Sequence, residues 1–144
     1  MFFHFPKPKA NRAPCVFEMR DHAFGHPAYP LAAFLKAGVR VALGTDSLAS
    51  NPDLSIFNEA RFVSRHHSGV APSEILRMAT LSGAEALDWN CDTGSLTPGK
   101  SADLAIVNLP DGHSANPELL VLDEKSSVSG VMIRGAWHID PSRT

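Results

Sequence analysis

The carboxylate of Asp46 occupies the position in this sequence most suited to chemistry. It lies in Gly44-Thr45-Asp46-Ser47, directly after the apolar run Val39-Arg40-Val41-Ala42-Leu43. Such a run reads as a buried strand, and an acid at the C-terminal end of one stands where α/β folds gather their reactive groups. There Asp46 can ligate a divalent cation, act as a base, or cap the following turn, which is common work for Asp and Ser. Ser47 beside it does not read as a nucleophile, because no G-x-S-x-G elbow is present. None of the seven histidines forms a His-x-His pair. His66 and His67 are adjacent on a predicted helix and therefore point apart, toward solvent. His4, His113 and His138 fall in segments that are not placed to assemble with Asp46. Cys15 and Cys91 have neither a C-x-x-C spacing nor a histidine partner, so both read as reduced residues of a cytoplasmic protein rather than as a disulfide or a zinc site.

The elements that must position Asp46 are legible around it. Pro30 suits a first helical turn, and Leu31, Phe34, Leu35 and Gly38 recur at i, i+3, i+4 and i+7, with Gly38 as a stop. Helix, glycine and β-branched strand make half of a βα repeat. A second helix follows the loop Leu48-Ala49-Ser50-Asn51-Pro52, capped by Asn51 or Asp53, with Ile56, Phe57, Ala60 and Val63 inward and Gly69 at its end. A third begins at Pro72-Ser73-Glu74, burying Ile75, Leu76, Met78 and Ala79, and continues or restarts over Gly83 to Leu87. Beyond Thr93 the chain turns at Gly94 and Gly99, then supplies candidate strands at Ala102 to Val107, Leu119 to Leu122 and Val128 to Ile139.

Two blocks in the correct order resemble metal-dependent amidohydrolases, in the branch holding chlorohydrolases, guanine deaminase and adenosine-derivative deaminases. The first is the string from Leu31 through Gly44-Thr45-Asp46-Ser47 to Asn51; the second runs from Ala79-Thr80-Leu81-Ser82-Gly83-Ala84-Glu85-Ala86-Leu87 through Gly94-Ser95-Leu96 and Pro98-Gly99-Lys100 to Ala102-Asp103-Leu104. The resemblance implies an α/β fold: the C-terminal part of a (β/α)8 barrel, followed by part of a small β-sandwich. It also implies a zinc or iron ion that activates water for attack on a ring carbon, with Asp46 as the last metal ligand and proton acceptor. A cation there lowers the pKa of water toward ~7 and keeps the carboxylate ionised. By the same resemblance Arg20 and His22, with His26 nearby, align with a segment that lines the substrate pocket, although Glu18-Met19 stand where Cys-Pro is expected. The family's other histidine ligands have no match here, and a hydrolytic zinc site takes about three protein ligands.

Composition narrows the alternatives. The 144 residues, 44% hydrophobic with formal net charge -2, suit a soluble domain and carry no basic excess that points to nucleic acid. No apolar run approaches the roughly 20 residues of a membrane span, and the start does not read as a secretory signal. Residues 1–21 read as an irregular leader, 22–90 as the barrel part and 91–144 as the sandwich strands. The expectation is an amidohydrolase-related enzyme acting on a C–N or C–halogen bond of a purine- or triazine-like ring, truncated and weak or inactive alone. Zinc or iron belongs to the parent family and is not expected to be held tightly by this chain. The rival reading is a non-catalytic assembly piece that pairs with a complementary N-terminal fragment or with its own copy. Glu59, on the helix after Asp46, is within reach of the barrel mouth, with a solvated helix face as its default reading; Lys100 reads as an exposed turn residue, and Trp89 and Trp137 as packing residues.

Overall fold

The computed structural model of the protein describes residues 15–16, 29–45, 47–49, 53–111 and 116–143. The first helix, α1 (Leu31–Lys36), buries Leu31 completely. Gly38 ends it with φ +75, a left-handed conformation that a side chain would strain, and its N–H bonds Leu35 O at 3.0 Å. The chain then reverses into β2 (Ala42–Leu43), where Val41, Ala42, Leu43 and Gly44 are all buried. Its partner is β1 (Cys15–Val16), parallel to it, with Cys15 opposite Ala42 and Val16 opposite Leu43. Cys15–Val16 is thus a short strand within the segment read as an irregular leader. Two residues are too few to show a period, and their extended shape comes from hydrogen bonding to β2 rather than from a pattern of their own.

Three helices cover β2: α2 (Ile56–His66), α3 (Pro72–Ala79) and α4 (Leu81–Ala86). The cap of α2 is Ser55, not Asn51 or Asp53: its Oγ accepts the Asn58 N–H at 3.2 Å. Asp53 supports the cap instead, accepting the Ser55 N–H at 2.8 Å and the Asn58 side-chain amide at 2.7 Å. Asn51 and Pro52 lie outside the described residues. The helix stops at His66, short of Gly69, while α3 starts at Pro72 as expected. Leu31, Val41, Leu43, Ala60, Val63, Val70, Ile75 and Met78 close one apolar core, with Leu122 reaching in from the C-terminal part.

The turn from α4 to the C-terminal strands is built tightly. Gly94 has φ +84, and a Cβ there would stand 2.6 Å from Ala84 Cβ. Lys100 is half-buried, and its Nζ donates to Thr93 O at 3.2 Å and Ser95 Oγ at 2.8 Å, so it fastens this turn rather than hanging in solvent. An antiparallel sheet follows in the order β3 (Leu104–Asn108), β4 (Ser127–Ile133), β5 (Ala136–Ile139). Arg134 and Gly135, both at positive φ, make the hairpin turn between β4 and β5. The strand expected at Leu119 to Leu122 is instead the short helix α5 (Pro117–Val121). Asn116 decides this by accepting the N–H groups of Glu118 and Leu119, with Pro117 in the first turn. Trp89 and Trp137 are 58% and 43% exposed, so neither is the packing residue expected.

Candidate functional site

At the end of β2 the chain climbs from core to surface within a few residues: Gly44 is buried, Thr45 half-buried and Ser47 exposed. Asp46 lies outside the described residues, as do Arg20, His22 and His26. The scaffold around the turn is defined. Ser47 Oγ accepts the Ala49 N–H at 3.3 Å, an ST-type turn just past the strand. The chain returns at Asp53, whose carboxylate ties Ser55 and Asn58 together at the start of α2. Helix α2 packs back on the strand it follows. Its first turn, carrying Glu59, therefore belongs to the end at which β2 finishes.

Glu59 overturns the expectation of a solvated side chain: it is 0% exposed and shares the inward face of α2 with Ala60 and Val63. Nothing in its type signals burial, because carboxylates are rarely enclosed. The available signal was spacing, since position 59 falls between the inward positions 56 and 63. On the opposite side, Arg61 lies over the Phe57 ring, 4.1 Å from its centroid. Its guanidinium donates to Asn58 Oδ1 at 3.1 Å, and to the carbonyl and hydroxyl of Ser126 at 2.6 Å each. Arg61 thus links the start of α2 to the segment entering β4.

Elsewhere the polar groups have structural work. His66 is exposed, stacked on Phe62 with ring centroids 3.9 Å apart, and its Nδ1 lies 2.8 Å from Phe62 O. At the opposite end of β2, Lys36, Arg40, Glu74 and Arg77 border a cleft of about 540 Å³. Two of its cations are engaged with Glu85: Arg77 at 2.9 Å and Arg40 at 3.5 Å. Asp103 accepts the Arg134 N–H at 2.8 Å, and this bond holds its carboxyl below the usual aspartate range. Among the described residues no three His, Cys, Asp or Glu side chains converge to hold a metal ion. They do not by themselves make a metal centre.

Residues 20–137 match the profile of the Amidohydrolase family, a span that takes in Arg20, His22, His26, Asp46 and Glu59. The chain belongs to the amidohydrolase family. Among related family members, the 5-methylthioadenosine/S-adenosylhomocysteine deaminase of Caldanaerobacter subterraneus subsp. tengcongensis is 36% identical over 118 residues, covering 74% of this chain and 27% of that protein. Several solved structures match in fold. The zinc-bound adenosine deaminase of Xanthomonas campestris superposes with a TM-score of 0.72 at 29% identity, over 87% of this chain and 31% of that one. The atrazine chlorohydrolase of Arthrobacter aurescens TC1, complexed with zinc, gives 0.75 at 25% identity, over 90% and 31%. This amidohydrolase chain therefore spans between a quarter and a third of the proteins it matches here. Among the described residues, no helix is long and apolar enough to cross a membrane.

Proposed function

We propose that this chain forms the C-terminal part of a cytoplasmic, metal-dependent amidohydrolase that hydrolyses a C–N or C–halogen bond on a purine- or triazine-like ring. Adenosine derivatives substituted at the 5′ position are the first substrates to test, because deaminases named for them share 33–40% identity with it. One observation carries this reading: a buried parallel strand, β2, runs directly into Gly44-Thr45-Asp46-Ser47 inside the family match. In a barrel that is the catalytic end. Asp46 supplies one carboxylate ligand to zinc or iron, and Arg20, His22 and His26 border the substrate pocket. A hydrolytic metal site takes about three protein ligands and an eight-stranded barrel about 200 residues or more, so the chain by itself is weak or inactive. The sheet β3–β5 is its share of a β-sandwich.

A second reading has its own observation. Ile106, Val128, Ile133, Trp137 and Ile139 of the three-stranded sheet are 37–46% exposed, an apolar surface of the kind that finds a partner. The chain then acts as an assembly piece, paired with a complementary N-terminal chain or with its own copy. Two measurements separate the readings. Elemental analysis and ammonia release from 5-methylthioadenosine and S-adenosylhomocysteine are followed for the chain alone and after adding the complementary N-terminal segment of a related deaminase. Ammonia released only by the reconstituted pair, and lowered more than about 100-fold by Asp46→Asn, supports the enzyme; that loss exceeds the 10–100-fold typical of groups outside the ligand shell. Reconstitution without metal or ammonia leaves the assembly reading.

A further inference from the structure

We propose that the cleft at the N-terminal end of β2 binds a small organic acid, with an apolar body against the cleft wall and a carboxylate held by Arg40 and Lys36. This is independent of the reading of Asp46, which follows the other end of the strand in sequence. The cleft holds about 540 Å³, within the roughly 300–1,000 Å³ of small-molecule sites. Ala32 and Leu35 of α1, with Val39 and Val70, give it an apolar wall. Its charged lining is unbalanced. Lys36, Arg40 and Arg77 stand against the single carboxylate of Glu74, and Glu85, which is not part of the lining, offsets one more cation through its contacts to Arg40 and Arg77. One positive charge is left over, which matches a carboxylate better than the nearly double charge of a phosphate monoester.

The three cations are unequally occupied. Arg77 donates to Ser82 Oγ at 2.8 Å and to Glu85 Oε1 at 2.9 Å, which engages both of its terminal nitrogens. Among the described residues, Arg40 makes one ion pair, at 3.5 Å to the other oxygen of Glu85, and Lys36 makes none. Glu85 therefore holds the Arg40 guanidinium beside that of Arg77 and leaves N–H donors of Arg40 open. A guanidinium fork takes a carboxylate through two parallel hydrogen bonds, and the ammonium of Lys36, in the last turn of α1, adds a donor on a flexible stem. The apolar wall supplies what a bare anion cannot use, area for a hydrocarbon body removed from water.

NMR of the full chain during titration with 4-phenylbutyrate tests this, with 4-phenylbutanol as the uncharged body and acetate as the bare head group. Expected is saturable movement of the Gly38, Val39, Arg40, Gly69 and Val70 amides at about millimolar 4-phenylbutyrate, with either control weaker by about tenfold or more. Arg40→Gln should weaken binding of 4-phenylbutyrate by about tenfold or more, as for loss of hydrogen bonds to a charged group, and Lys36→Gln by about threefold. Glu74→Gln should tighten it, because a like charge leaves the lining. Absence of saturable shifts at the cleft by about 20 mM, equal binding of either control, or shifts confined to β3–β5 overturns the proposal. So does a folded Arg40→Gln protein that binds 4-phenylbutyrate within about twofold of the parent. Should Arg40→Gln not fold, because its tie to Glu85 is lost, Lys36→Gln decides: it has no partner to lose, and unchanged affinity in that variant overturns the assignment.

Discussion

Replacing Gly94 by alanine isolates how tightly the α4–β3 turn is built. Two costs add at this position. The backbone has φ +84, where an L-residue loses roughly 1–2 kcal/mol relative to glycine. The new methyl would also meet Ala84 Cβ at 2.6 Å and the Leu81 Cα at 3.1 Å, both on helix α4. Since Ala84 is buried and Leu81 Cα is backbone, neither can swing aside, and overpacking of this kind costs about 1–3 kcal/mol. The sum is about 3 kcal/mol. Gly99 supplies the internal control, because its φ is +90 yet nothing lies within 4 Å of an added Cβ. Gly99→Ala should therefore lose only the backbone part, about 1–2 kcal/mol. Urea unfolding of both variants, with unchanged m-values, measures the difference. Gly94→Ala combined with Ala84→Gly should lose less than the two single variants summed, because the closest contact disappears. Equal losses for the two glycine variants, to within about 0.5 kcal/mol, would refute the steric argument.

Two further outcomes follow from the polar contacts. Arg61→Ala should cost about 1.5–3 kcal/mol in urea unfolding, because it removes a charged donor from the partly buried carbonyl and hydroxyl of Ser126; Arg61→Lys, lacking the planar fork, should lie between. Asp103 has a folded-state pKa below its ordinary value, chiefly through the Arg134 N–H, so its stabilisation is present above the unfolded-state pKa and is lost as pH falls through the folded value. Asp103→Asn should thus flatten the fall of melting temperature between about pH 5 and pH 2, and an unchanged acid limb would count against that bond.

Periodicity made the helix layer readable. The stripe from Leu31 to Gly38 and the inward set Ile75, Leu76, Met78 and Ala79 correspond to α1 and α3, because apolar spacing and proline or glycine boundaries agree there. Elements fixed by a single contact were harder. Helix α5 is five residues long, too short to show a period, and its apolar Leu119-Leu120-Val121 run resembles a strand until the Asn116 cap is weighed. Strand β1 has no sequence signature, since its order comes from β2. At the candidate site, the sequence points to the turn after β2 and to Asp46, whose own placement lies outside the described residues with those of Arg20, His22 and His26. The sequence puts Glu59 within reach of the barrel mouth but does not show its enclosure, because residue type argues for solvent and tertiary packing buries it.

The bond between Arg61 and Ser126 constrains its two ends unequally. Half of what the guanidinium finds at position 126 is a main-chain oxygen, which any residue would provide. The serine hydroxyl has one proton and two carbonyls, Val121 O and Asp123 O, each 2.7 Å away, while it also receives Arg61. Evolutionary drift at 126 toward another small residue therefore keeps the arginine anchored, whereas drift at 61 strands two acceptors at once. Among descendants of this sequence, the arginine should outlast the serine.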